Sequence, residues 1–434
     1  RDLWVKQASG LTGEFDVQLK LVRGTGLSYE AEADILDSAR ISRCRMVRRP
    51  VAERFSFTGK VADFRPWSPE SPTLFTFRLR LYSRGKLVEE RLQKFGFRTF
   101  ETKGANFLLN GKIFRFRTGM LTNPSKVIEP GRFRQLRKFG FNAIYFHANE
   151  YGNNFPIFDL LDREGFVVIA PFDRAAPDGE TAELVRRTRN HPSVVGYLSD
   201  QYGQLDINGY IHDPFRTDDS YLPSGERAQT IFRLMTRRDE LFRRLDPSRR
   251  YVAQATGNWP GFMRITHQYA TNGLNLSDRR RYQEPWAARR NPQLPLYIFE
   301  AGVNNLLNFD TTHPDHTFEV LPQREPVERL MNYECAARYL GDRAFSDWRQ
   351  WEWLLMRESL RNFRLHGVDG FCMWIADDLW AHPVNTDSPR GFPDRRRFDP
   401  RFLTSPVGDV LEDGWMRVNS GYYRSVSYTH LTLP

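Results

Sequence analysis

The chain has 434 residues, a net charge of +10 and 14% aromatic residues. That length accommodates two or three domains around a large core. The positive charge is almost all Arg, since no Lys follows Lys138, and it is scattered, with small clusters only at Arg279–Arg281 and Arg395–Arg397. Scattered Arg argues against a nucleic-acid stripe, and no apolar run is long enough to span a bilayer. Cys44, Cys335 and Cys372 are odd in number and far apart, so they give neither metal-ligand spacing nor a disulfide framework.

In chain order, residues 1–102 read as an antiparallel β-sandwich. Phe15–Val22 and Leu74–Tyr82 alternate apolar and polar residues, Gly85 marks a turn, and Leu87–Leu92 follows it. Alternation at period two, broken by turn residues, is the signature of strands with one buried face. Pro66–Pro72 forms a rigid Pro-rich loop between strands.

From about residue 103 to 390 the pattern changes to short apolar runs alternating with amphipathic helices. The expected strands are Phe114–Met120, Asn142–His147, Phe166–Pro171, Val194–Asp200, Tyr251–Thr256, Ile265–Ala270, Leu296–Glu300 and Gly370–Ile375. Expected helices between them include Gly131–Phe139, Phe158–Glu164, Ala228–Leu245 and Trp351–His366. Eight such units predict a (β/α)8 TIM barrel, whose active site lies at the C-terminal ends of its strands. Two runs end there in polar groups: Leu296–Glu300 in a carboxylate, and Val194–Asp200 in Asp200 followed by Gln201. The loop Tyr202–Ser224 is long and polar, as functional barrel loops are. Residues 391–425 read as the start of a further, truncated β element. The chain starts at Arg1 in mid-pattern and reads as a fragment, and Val426–Pro434 resembles translated adapter read-through at the end of a metagenomic gene fragment.

Several ordered segments carry a resemblance. They are the loop Trp67–Phe75, the segments Lys94–Arg98 and Phe107–Lys112, the strand Gly140–His147, the helix Asp159–Gly165 and the approach Asn190–Val195. Together the chain resembles glycoside hydrolase family 2, the β-galactosidases, β-glucuronidases and β-mannosidases. The resemblance implies an immunoglobulin-like sandwich followed by a TIM barrel, with the family's N-terminal jelly-roll domain preceding Arg1. It implies a retaining glycosidase that cleaves a β-linked glycan from its non-reducing end. A carbohydrate substrate follows from the same resemblance, and family habit points to a periplasmic or secreted location. The residues indicate no metal ligands and no cofactor, although some family members bind Mg2+ or Na+ near the site.

By that resemblance Glu300 is the nucleophile. The family's acid/base pair is Asn-Glu, and here it is Asp200-Gln201. An amide side chain neither gives nor takes a proton at neutral pH. Three readings stand. Asp200 takes the acid role, or a loop carboxylate (Asp206, Asp213, Asp218 or Glu150) swings in, or the protein is a catalytically silent glycan binder. The resemblance further assigns His147 to a substrate hydroxyl, His267 and Tyr269 to a His-x-Tyr motif beside the nucleophile, and Trp374 to the sugar platform. Glu150, Asp377 and Asp378 are further candidates for substrate contact, the two aspartates being equally suited to capping a helix. A Schiff-base lysine late in the barrel is excluded, because no Lys follows Lys138.

Overall fold

The structure is a computed structural model. It describes residues 3–21, 28–121, 133–134, 136–137, 140–146, 155–173, 176–200, 226–253, 263–267, 294–301, 363 and 367–373.

Seven strands build two antiparallel sheets. One runs in the order β1 (Val5–Gln7), β2 (Glu14–Lys20), β5 (Arg54–Lys60). The other runs β4 (Ser42–Val51), β3 (Tyr29–Leu36), β6 (Phe75–Ser83), β7 (Lys86–Phe95). The alternation read in the sequence sets the layering. Phe75, Phe77, Leu79 and Leu81 of β6 are buried with Phe15, Val17, Ala33 and Ile35. The intervening Arg78 and Arg80 face outward and pair with Asp34, Glu32 and Glu90.

A small sheet follows, ordered β10 (Lys112–Phe114), β9 (Asn106–Leu109), β8 (Phe100–Lys103). Asn110 and Gly111 both adopt positive φ, 54° and 75°, the backbone that an Asn-Gly hairpin turn requires. The run expected as one strand from Phe114 is split at Arg115. Phe114 ends this hairpin, and Phe116 begins the next sheet.

That next sheet has eight strands, all parallel, in the order β15-β14-β13-β12-β11-β18-β17-β16. The strands are β11 (Phe116–Met120), β12 (Ala143–Tyr145), β13 (Val167–Asp173), β14 (Val194–Asp200), β15 (Arg250–Ala253), β16 (Arg264–His267), β17 (Leu296–Ala301) and β18 (Gly370–Met373). Each corresponds to an expected run. Helices α1 (Pro156–Glu164), α2 (Asp178–Thr188) and α3 (Glu226–Leu245) connect them. Strand β15 and strand β16 end the order at opposite edges, with no pairing between them among the described residues.

The two faces of this sheet bury different clusters. Ile144, Val168, Tyr197, Tyr251, Ile298 and Phe371 pack on the helix side. Tyr145, Ile169, Leu198, Val252, Tyr297, Phe299 and Cys372 form a second cluster on the other face. This inner cluster joins Val252 of β15 to Met263, next to β16, so the sheet curls around it. Phe107, Leu109 and Phe114 of the hairpin sheet belong to the same cluster and close it at the N-terminal ends of the strands. The cavity left among the inner residues is about 10 Å³, the lower limit for one water molecule. The inside is packed core, and the C-terminal rim is the side that the hairpin sheet leaves uncovered.

Candidate active site at the C-terminal rim of the parallel sheet

Because all eight strands are parallel, their C-terminal ends lie on one side. Asp173, Asp200, His267, Glu300 and Ala301 stand at these ends. Gln201, His147, Glu150, Tyr269, Trp374, Asp377, Asp378 and the loop residues Asp206, Asp213 and Asp218 lie outside the described residues.

The register of β14 bears on Asp200. Tyr197 packs in the outer cluster and Leu198 in the inner one. Ser199 receives a hydrogen bond from the outer-cluster Tyr251 hydroxyl at 3.0 Å. Alternation therefore assigns position 200 to the register set of Leu198. Its register partner on β13 is Asp173. The sequence reading ended that strand at Pro171 and passed over Asp173. The signal was present in Phe172-Asp173, an apolar residue followed by a carboxylate, the same form that marks Glu300.

Strand β17 departs from simple alternation. Leu296 and Ile298 are in the outer cluster, Tyr297 and Phe299 in the inner one, so parity alone gives position 300 to the outside. The pairing with β18 shifts there. Ile298 partners Phe371 and Ala301 partners Met373, leaving both Phe299 and Glu300 against Cys372, an inner-cluster residue. Two residues opposite one is a β-bulge, a device found next to active sites, where it re-aims a side chain. On the other side, His267 partners Phe299, one position before Glu300.

The floor beneath this bulge is closely packed. Phe299 meets Tyr145 edge-on at 4.6 Å between ring centroids. The Tyr297 hydroxyl donates to Thr118 Oγ1 at 2.8 Å. Burial, reinforced by the Cys372 thiol, holds that phenol well above its usual range, so it acts as a neutral hydrogen-bond donor. At Gly370 an added Cβ would meet the Tyr297 ring at 2.6 Å and Phe116 at 2.7 Å. Glycine there lets β18 lie against the Tyr297 ring and the Phe116 Cβ.

The opposite end of β14 is held by the sandwich. The Arg98 guanidinium donates to the carbonyls of Pro192 and Val194 at 3.0 and 2.5 Å. Arg249 donates to the same Val194 carbonyl at 2.6 Å and to that of His191 at 2.9 Å. Asn190 takes the Val5 amide and donates to the Leu3 carbonyl. The Trp67 indole, fully buried, donates to the Asp162 carbonyl at 2.8 Å. Gly165 ends α1 with φ of 70°, and an added Cβ would lie 2.5 Å from the Pro69 carbonyl oxygen. The resemblance motifs Trp67–Phe75, Asp159–Gly165 and Asn190–Val195 thus meet in one seam.

Asp159, Asp162 and His191 bring their potential ligand atoms within 4.8 Å of one another. Asp162 is committed elsewhere. Its Oδ2 lies 2.6 Å from His191 Nδ1, and its Oδ1 accepts the Ser193 amide at 3.0 Å. The trio is part of the seam. Burial opposes charge on His191, and the Asp162 carboxylate outweighs it through attraction and a hydrogen bond, so the imidazole is held above its ordinary range. A raised histidine stabilises the fold fully below its unfolded value of about 6.5 and loses that contribution as pH rises through the folded value. The thermal midpoint of wild type over His191→Gln is therefore expected to be higher by on the order of 2–4 °C near pH 6. The gap should narrow towards pH 9. A constant gap across this range would contradict the charged pair.

Comparisons with known proteins fit this architecture. Residues 1–98 match the family model for glycosyl hydrolases family 2. A β-galactosidase of Bifidobacterium adolescentis is 27% identical over 175 residues, 32% of this chain and 16% of that protein. A β-glucuronidase of Paenibacillus borealis is 28% identical over 170 residues, 32% of this chain and 28% of that protein. The matches thus span less than a third of either relative. Among solved structures, Bacteroides uniformis β-glucuronidase 2, covalently bound to cyclophellitol-6-carboxylate aziridine, superimposes with TM-score 0.59 at 12% identity, covering 86% of this chain and 45% of that one. A family 2 member from Bacteroides cellulosilyticus gives 0.54 at 15% identity, covering 92% and 46%. At such identities the structural likeness speaks for the fold. Among the described residues no helix is long and apolar enough to cross a membrane. In its N-terminal 98 residues, its named sequence relatives and the fold of its solved neighbours, the chain is similar to members of glycosyl hydrolase family 2.

Proposed function

We propose that this protein is a retaining glycoside hydrolase that cleaves a β-linked glycan from its non-reducing end, with its parallel sheet closing as a (β/α)8 barrel. The observation that carries the reading is the bulge at Phe299–Glu300 on the C-terminal rim. It gives the one carboxylate of β17 the register of the inner-cluster residue Cys372.

In this reading a Glu300 carboxylate oxygen attacks the anomeric carbon. The bond from that carbon to the glycosidic oxygen breaks, its electron pair leaves with the oxygen, and a general acid supplies the proton. Water then attacks the glycosyl-enzyme, gives up its proton to the same group, and releases Glu300. His267, one position offset from Glu300 on β16, and Tyr269 beyond it are assigned to orienting the nucleophile. His147, Glu150, Trp374 and Asp377 are assigned to binding the sugar. Sandwich and hairpin sheet hold the closed end of the sheet and leave the rim to substrate.

A second reading, a silent glycan binder, rests on Gln201 in the acid/base position. Turnover of 4-nitrophenyl β-galactoside and β-glucuronide and of the matching natural disaccharides separates the two. Loss of a general acid costs about 10²–10⁴-fold, mostly on the poorer leaving group. Cleavage of both classes is the expected result. Binding without cleavage of either would favour the silent binder.

A further inference from the structure

We propose that Asp200 is the proton donor, and that Asp173, its register partner on β13, is the positioning carboxylate that keeps Asp200 protonated. The inference rests on the glycosidase reading above and names the group that fills the acid role.

The register carries it. Asp173 and Asp200 are paired at the last position of two adjacent parallel strands. Neighbouring strands run about 4.8 Å apart. Position 200 falls in the set of inner-cluster Leu198, and position 173 in the set of inner-cluster Ile169. By alternation both positions therefore share the register set of the inner cluster. Two carboxylates that share a site do not ionise together at ordinary cost, and one stays protonated to higher pH. Directly paired positions on adjacent strands are where such sharing can arise. A donor active at neutral pH needs this, and Gln201 cannot supply it.

Among the described residues, the charged groups of neighbouring elements are engaged elsewhere. On α3, Arg238 donates to Thr181 Oγ1 and to the Ala176 carbonyl and pairs with Asp178. Asp239 pairs with Arg243 on the same helix. Both belong to the helix side of the sheet. On β15, Arg250 sits opposite Gly196, four positions below Asp200, and Ala253 sits opposite Ser199. In the reaction the Asp200 proton passes to the departing glycosidic oxygen. The resulting Asp200 carboxylate later takes a proton from the attacking water, so the pair ends with one proton, as it began.

The test is a set of aryl β-galactosides and β-glucuronides with leaving phenols from dinitrophenol to phenol, assayed as kcat/KM against pH. Asp200→Asn is expected to lose about 10²–10⁴-fold on the phenyl glycoside and least on the dinitrophenyl one. Added azide should restore turnover and yield the β-glycosyl azide, because azide then replaces water on the glycosyl-enzyme. Asp200→Glu, which keeps a carboxyl, should retain part of the phenyl glycoside activity. Asp173→Asn removes the like charge, so the basic limb of the profile should move down by about 1–2 pH units. A basic limb unmoved in Asp173→Asn would overturn the role of Asp173. Equal losses on all leaving groups in Asp200→Asn, without azide rescue, would overturn the proton donor. Absence of turnover by the wild-type protein would sink the glycosidase reading along with it.

Discussion

Glu300→Ala is expected to abolish glycoside turnover, by at least about 10⁴-fold in kcat/KM, while the fold persists. The size follows from what a nucleophile does. It divides one difficult displacement into two easier ones, and its removal takes away the intermediate itself, not a fraction of its stabilisation. The position argues for the same outcome on folding grounds. Glu300 lies at the rim, where the described core beneath it is made by Tyr297, Phe299, Tyr145 and Thr118. Truncation at a rim position leaves those contacts in place. The chemical signature separates this variant from the acid variants. With the carboxylate gone, azide can enter the vacated face and displace the activated phenol directly, giving the α-glycosyl azide. Loss of the acid gives the β product instead, so product stereochemistry reads out which carboxylate was removed. Full activity in Glu300→Ala would sink the assignment. Activity lost with the fold, seen as a collapsed thermal midpoint, would make Glu300 a structural carboxylate.

The strand pattern was legible because period-two alternation and continuous apolar runs follow directly from which faces are buried. Each of the eight parallel strands fell on an expected run, and Val194–Asp200 and the start of β17 at Leu296 were placed to the residue. What alternation could not convey was register. The bulge that places Glu300 opposite Cys372 depends on how β17 meets β18, a contact between chain segments about seventy residues apart. The Asp173–Asp200 pairing likewise appears only when two strands are set side by side. The split at Arg115 was hidden for a different reason. Phe114 and Phe116 are both apolar, and both join the inner cluster, although they belong to different sheets. The seam motifs were visible as a resemblance, but their physical role, fastening the sandwich under β14, required the hydrogen bonds of Arg98, Trp67 and Asn190.

Asp246→Ala is expected to destabilise the parallel-sheet region by about 3–5 kcal/mol, the usual cost of breaking a buried ion pair by deleting one partner. Asp246 is fully buried and sits 2.6 Å from Arg249 Nη1. It also accepts from the Ser248 amide and hydroxyl. Burial opposes its charge, and Arg249, Ser248 and the nearby Arg98 more than offset that, so the carboxyl is held below its ordinary range. Without it, two buried guanidinium groups would face each other with Asp162 as the remaining carboxylate that acts on both. Arg98 already shows the tension, its guanidinium pushed down to about 9 by burial and by the charge on Arg249. Both arginines grip the Val194 carbonyl, so the damage should centre on the start of β14, the strand whose other end bears Asp200. Asp246→Asn keeps the shape and part of the hydrogen bonding and should cost less. The pH dependence carries a sign. A carboxyl with a depressed folded value stabilises fully above its unfolded value of about 3.9 and loses that contribution as pH falls through the folded value. Urea midpoints of wild type and Asp246→Ala should therefore differ most at neutral pH and converge in acid. A loss below about 1 kcal/mol, or one independent of pH down to about 2, would mean that water reaches this seam and screens the pair as it does at a surface.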